Sequence, residues 1–182
     1  ERALWFLQRL APESGAYNLA GAVRIEALDP QAFARAVLRL VERHPALRTT
    51  YPAEHGEPSR RVHGWLEPEI TEEDVGAVDG EALRLGCEGG SLRPFDPERG
   101  PLLRVRLDRV ADGQFLLVLV FHHIVVDHLS LVQLARELQQ LYSKGPDSLP
   151  EQPLQFADYA VWQKEHLALP ETEKKLDAWK QR

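Results

Sequence analysis

Residues 103–128 read LRVRLDRVADGQFLLVLVFHHIVVDH, and this stretch decides the class of fold. Leu103, Val105 and Leu107 alternate with Arg104, Arg106 and Asp108, the period of a strand with one buried face. Asp112-Gly113 is a hairpin turn signal. From Phe115 to Phe121 every residue is apolar, as expected for a strand covered on both sides. Helical spacing follows from Leu129 to Tyr142, through Val132, Ala135, Leu138 and Leu141.

The rest of the chain repeats this mixture. Leu19 to Ile25 alternates loosely as a strand, and Asp29-Pro30 is a helix start, cap then first-turn proline. That helix buries Phe33, Val37, Leu40 and Val41 and ends before Pro45. Residues 3–10 read as the end of another helix, stopped near Pro12 and Gly15. Ala46 to Tyr51 and Arg60 to Val62 read as short strands, and residues 67–80 as an acidic loop. Glu81 to Leu85 reads as a helix weakened by Gly86, Gly89 and Gly90. A proline-rich linker, Lys144 to Pro153, leads to a last helical region from about Phe156. Strands and helices alternate, so the expected class is α/β, an α+β sandwich in which helices flank a mixed sheet.

Composition narrows the function. The chain has 182 residues, 43% of them hydrophobic and 27% charged, which is ordinary for one globular domain. A net charge of −6 gives no general affinity for phosphate backbones, so nucleic acid is not an expected partner. Seven consecutive apolar residues fall far short of the ~20 that span a bilayer, so no membrane partner is expected. Cys87 is the one cysteine, which rules out an internal disulfide and fits a cytoplasmic location. Methionine is absent, as expected for a segment of a longer chain.

Chemistry concentrates at Phe121-His122-His123-Ile124-Val125-Val126-Asp127-His128, where the most apolar strand meets a helix. Such junctions are where α/β proteins place ligands and catalytic groups. Adjacent histidines in a strand point to opposite faces, so one can look into a cleft while its neighbour packs. Other readings stay open on these residues alone. Asp127 can cap the following helix, Ser130 with Gln133 offers a second capping box, and the histidines can be core residues. A metal site from His122, His123, Asp127 and His128 matches no common zinc spacing. Arg35, Arg39 and Arg43 form a stripe every four residues, either a solvated helix face or a contact for an acidic partner or a phosphate.

His122-His123-x-x-x-Asp127 resembles the HHxxxDG signature of the condensation domains of nonribosomal peptide synthetases, shared with chloramphenicol acetyltransferase. Further segments resemble the family's motifs in the expected order. They are Leu4-Trp5-Phe6-Leu7 with Tyr17-Asn18, Arg43-His44-Pro45-Ala46-Leu47-Arg48-Thr49-Thr50-Tyr51, Pro94 to Arg104, and Phe156 to Gln163. The resemblance implies a chloramphenicol acetyltransferase-like lobe, residues 1–182 being the N-terminal subdomain of a two-lobed domain. Residues 155–182 would then lead to an absent C-terminal lobe.

The resemblance also implies a reaction. The amine of an acceptor aminoacyl thioester attacks a donor acyl thioester, both carried on phosphopantetheine, and no cofactor is bound by the lobe itself. The implied partners are donor and acceptor carrier domains, the C-terminal lobe and adjacent synthetase modules. By family position His123 is the catalytic residue, supported by His122, Asp127, Arg48 and His128, with no metal. Asp127 would pair with Arg48 as a buried structural ion pair. An α-amino group with a pKa of about 7.7–8.0 is already roughly a tenth neutral at pH 7. His123 would therefore orient the amine and take its proton, a contribution of about 10²–10⁴-fold.

His128 stands where the family has glycine; some condensation domains, notably in polyketide–peptide hybrids, carry an aromatic residue there, and the His128 side chain would leave the turn or narrow the tunnel mouth, or simply point outward on the first helical turn. Alternatives are an acyltransferase using a free acceptor and a noncatalytic carrier-docking module.

Overall fold

The turn at Asp112-Gly113 sets the register of the central sheet in the computed structural model, with Gly113 at φ +66°, a conformation L side chains rarely adopt. The structure describes residues 1–76, 88–90 and 92–180. Cys87 and the helix expected over Glu81 to Leu85 lie outside the described residues. The chain divides into two compact units, Glu1–Leu149 and Pro150–Arg182.

In the first unit the described elements run α1 (Arg2–Leu10), β1 (Asn18–Glu26), α2 (Pro30–Arg43), a 3-10 turn (Pro45–Arg48) and β2 (Thr49–Thr50). There follow β3 (Ala53–Glu54), β4 (Glu57–Pro58), β5 (Arg61–Val62), β6 (Glu69–Asp74), β7 (Leu103–Ala111), β8 (Gln114–His122) and α3 (His128–Lys144). The main sheet has the order β1-β8-β7-β6, with β8 antiparallel to both neighbours and β6 parallel to β7. It is therefore mixed, as expected.

Alternation along β8 sorts its side chains between two cores. Phe115, Leu117 and Phe121 join α2 and α3 through Phe33, Val37, Leu40, Leu134 and Leu138. Leu116, Val118 and Val120 join Trp5 of α1, Tyr51 and Phe95 on the opposite side. Both faces of β8 are covered, which is why its sequence is continuously apolar. The caps agree with the local sequence. Asp29 accepts the N–H groups of Gln31 and Ala32 ahead of Pro30, and α2 stops at Arg43 before Pro45.

Two expectations are corrected. Pro45 to Arg48 is a 3-10 turn, and only Thr49–Thr50 is extended, because Pro45 fits the first turn of a helix. Residues 69–74 form a strand instead of a loop. Glu69, Glu72 and Asp74 hide its signal, because β6 is an edge strand held by its parallel backbone ladder to β7, with Ile70 against the core and its acidic side chains towards arginines of β7. Glu69 pairs with Arg104 at 3.4 Å and Glu72 with Arg109 at 3.6 Å. A charged edge strand of this kind carries no apolar alternation.

The second unit consists of α4 (Phe156–Leu167) and α5 (Pro170–Lys180). Gln155 and Asp158 cap α4 reciprocally, and the rings of Tyr159, Trp162 and His166 follow one another along it.

Candidate active site

Strand parity assigns different surroundings to the two histidines. His122 follows Val118 and Val120 on the α1 side of β8 and is fully buried, with Phe95 edge-on at a centroid distance of 6.1 Å. Its Nδ1 accepts the N–H of Ile124 at 3.0 Å, so the ring proton sits on Nε2, facing Oε1 of Gln8 at 3.4 Å. Burial, and secondarily the neighbouring His123, lower its pKa to about 4. His122 is thus neutral at physiological pH.

His123 begins the turn after β8 and is half-buried. Its main-chain N–H donates to the carbonyl of Tyr17 at 2.8 Å, one step beyond the Asn18–His122 pair of the β1–β8 ladder. Its Nδ1 lies 2.7 Å from the carbonyl of Val126. A carbonyl only accepts, so Nδ1 carries a proton, and in the neutral ring Nε2 then keeps its lone pair. The turn itself is closed by the N–H of Val125 donating to the carbonyl of His122 at 3.1 Å. An imidazole fixed in one tautomer with an available Nε2 is the arrangement a general base requires.

The expected ion pair between Asp127 and Arg48 is not formed. Asp127 is exposed and serves as the N-cap of α3, its Oδ1 accepting the N–H of Ser130 at 2.8 Å and the Ser130 hydroxyl at 2.6 Å. Those bonds hold its carboxyl below the usual carboxylate range. Because Ser130 is spent on this cap and Gln133 donates to Glu137, the second capping box is also absent. Arg48 instead donates to the main-chain carbonyls of His63, Gly64 and Glu42, tying the end of α2 to the segment after β5. The physical reason is local: a cap bond within one turn of helix forms without bringing two distant segments together.

His128 is exposed at the first position of α3. Among the described residues only Ala27 and His55 are non-glycine residues with positive φ, so the backbone at 128 makes no demand for glycine. The arginine stripe is not one solvated face. Arg35 is exposed and Arg39 meets Glu42, but Arg43 is drawn into a buried contact with Glu137 of α3, shared with His44.

Sequence reasoning missed Gln8, Tyr17 and Val126. Two of these act through main-chain carbonyls, which leave no side-chain signal. Gln8 was detectable only as an amide within the apolar run of residues 3–10.

The order of these elements and the histidine pair at the end of β8 coincide with a known family. The condensation domain model matches residues 1–182. The chain belongs to the condensation domain family. It is 38% identical over 100% of its length to phosphinothricin tripeptide synthetase PhsC of Streptomyces viridochromogenes, and it spans 18% of that much longer protein. The structure of the starter condensation domain of the rhizomide synthetase RzmA superposes with a TM-score of 0.81 at 19% identity, covering 97% of this chain and 44% of that one. A structure described as the molecular basis for condensation domain-mediated chain release from the enacyloxin polyketide synthase gives a TM-score of 0.74 at 30% identity, covering 91% and 33%. The fold of this condensation-domain chain is accordingly the chloramphenicol acetyltransferase-like α/β fold, with helices on both faces of a mixed sheet. Among the described residues no helix is long and apolar enough to cross a membrane.

Proposed function

We propose that residues 1–182 form the N-terminal lobe of a two-lobed condensation domain, in which His123 is the base for amide formation between carrier-bound thioesters. The observation that carries this reading is the bond from Nδ1–H of His123 to the Val126 carbonyl, which leaves the Nε2 lone pair available. The acceptor amine nitrogen attacks the donor thioester carbonyl, forming the C–N bond, while its proton passes to Nε2 of His123. Collapse of the tetrahedral intermediate breaks the C–S bond. The proton then leaves His123 for the departing phosphopantetheine thiolate, so an amide and a free thiol result. Holding two tethered reactants in line supplies much of the acceleration.

The reading assigns supporting roles to the motif. His122 is a buried neutral brace, Asp127 caps α3, and Arg48 ties down the segment before β2. Neither Ser130 nor Cys87 serves as a nucleophile. The partners are the donor and acceptor carrier domains, the second lobe and adjacent modules, in the cytoplasm. A lobe alone forms one wall of the substrate tunnel and is inactive. A polyketide–peptide hybrid setting accords with the likeness to the enacyloxin domain and with His128 in place of glycine.

The test is His123→Ala in the two-lobed protein, with donor and acceptor loaded on their carriers and a single turnover followed. A rate at least about 100-fold lower, with folding intact, is expected. An unchanged rate rejects the assignment.

A further inference from the structure

Gln8 is the polar residue that α1 buries, at 3% exposure, and its carboxamide is fully used. Nε2 donates to the carbonyls of Pro12 at 3.2 Å and Ser14 at 3.1 Å. Oε1 faces the protonated Nε2 of His122 at 3.4 Å. We infer that Gln8 is the positioning residue of the histidine pair, holding His122 by its ring and His123 by its main chain.

Two routes run from this amide to His123. In the first, Gln8 orients the His122 ring, whose Nδ1 accepts the N–H of Ile124, the residue immediately after His123. In the second, Gln8 gathers the Pro12–Ser14 segment, which continues directly to Tyr17, whose carbonyl receives the N–H of His123. Close packing fixes that segment further. A Cβ on Gly15 would lie 2.2 Å from the carbonyl oxygen of Leu92, so the backbone passes there only as glycine. The peptide bonds on either side of His123 are therefore both referred to one side chain on α1. Gln8 touches no reacting atom and acts through its neighbours. Its amide fits because the task needs one acceptor and two donors, a set that neither a carboxylate nor an alkyl group provides.

This inference rests on the assignment of His123 as the base. The test uses Gln8→Leu and Gln8→Glu in the two-lobed protein, with His123→Ala beside them. Single-turnover condensation at saturating donor and acceptor is combined with long-range ¹H–¹⁵N spectra of the imidazoles. In the unsubstituted protein His122 is expected as the Nε2–H form and His123 as the Nδ1–H form. Gln8→Leu should lower the single-turnover rate by roughly 10–100-fold and displace the imidazole ¹⁵N resonances of both rings, while the tautomers, set by the N–H of Ile124 and the carbonyl of Val126, stay as they are. Gln8→Glu keeps an acceptor for His122 but no donor for Pro12 and Ser14. It should move the His122 Nε2 resonance back towards its unsubstituted position, raise the pH at which His122 titrates, and recover only part of the rate. If Gln8→Leu does not fold, the Gln8→Glu spectra and rate decide. Wild-type rates and imidazole resonances in the variant that folds overturn the inference. A silent His123→Ala together with displaced imidazole resonances in Gln8→Leu would instead overturn the assignment of the base and leave the positioning role standing.

Discussion

Asp127 Oδ1 accepts both the N–H and the hydroxyl of Ser130, at 2.8 and 2.6 Å, while Arg48 is held by carbonyls of residues 42, 63 and 64. The aspartate of the histidine motif is thus a helix cap in this chain. The arginine expected beside it belongs to a separate brace.

Capping and ion pairing differ in energetic scale, so the two roles separate by measurement. Asp127→Ala should cost about 1 kcal/mol, the usual loss for an N-cap, against the ~3–5 kcal/mol for breaking a buried ion pair. Asp127→Ser should recover most of the loss. In a double-mutant cycle with Arg48→Ala, urea denaturation should give a coupling within about 0.5 kcal/mol of zero. A coupling of several kcal/mol would restore the ion pair.

His122 makes stability depend on acidity. Its folded pKa is about 4 and its unfolded value about 6.5, so between those values the unfolded chain binds more protons. The contribution is complete above about pH 6.5 and is lost as pH falls towards 4, for a total of about 3 kcal/mol. Thermal unfolding between pH 7 and 4 should show this decline. His122→Asn, which does not titrate, should flatten it. An equal slope in the variant would remove His122 as the cause.

Glu137 joins α2 to α3. It receives Arg43 Nε at 3.0 Å, Gln133 Nε2 at 2.9 Å and His44 Nε2 at 2.7 Å. Burial opposes its ionisation, but these bonds outweigh burial and hold its pKa below the usual range. Glu137→Ala should cost about 3–5 kcal/mol, because Arg43 is left with its charge largely buried. Denaturant midpoints give the value. Replacing Arg35 by alanine, on the exposed side of the same helix, should change stability by less than about 0.5 kcal/mol. Equal losses at the two positions would contradict the assigned contact.

Most elements were legible in the sequence where local chemistry governs them. Asp29-Pro30 starts α2 through a cap and a ring with fixed φ, and Asp112-Gly113 turns the β7–β8 hairpin. Phe115 to Phe121 announced a strand covered on both sides because no polar face had to be spared. β6 was not legible. Its identity as a strand resides in backbone pairing with β7, a distant segment whose Arg104 and Arg109 meet its acidic side chains, and its own sequence does not reveal that partner.

The candidate site divides along the same line. Sequence alone determined that two histidines stand at the end of the most buried strand, that they differ in surroundings by parity, and that Asp127 can cap the next helix. Those properties follow from period and from contacts within a few residues. Tertiary structure decided which nitrogen of each ring carries its proton, that Gln8 and Tyr17 reach the pair, and that Asp127 and Arg48 have separate partners. These are choices among hydrogen-bond partners from distant segments. A carbonyl or amide competes for them by where the folded chain places it, and no local pattern records that place.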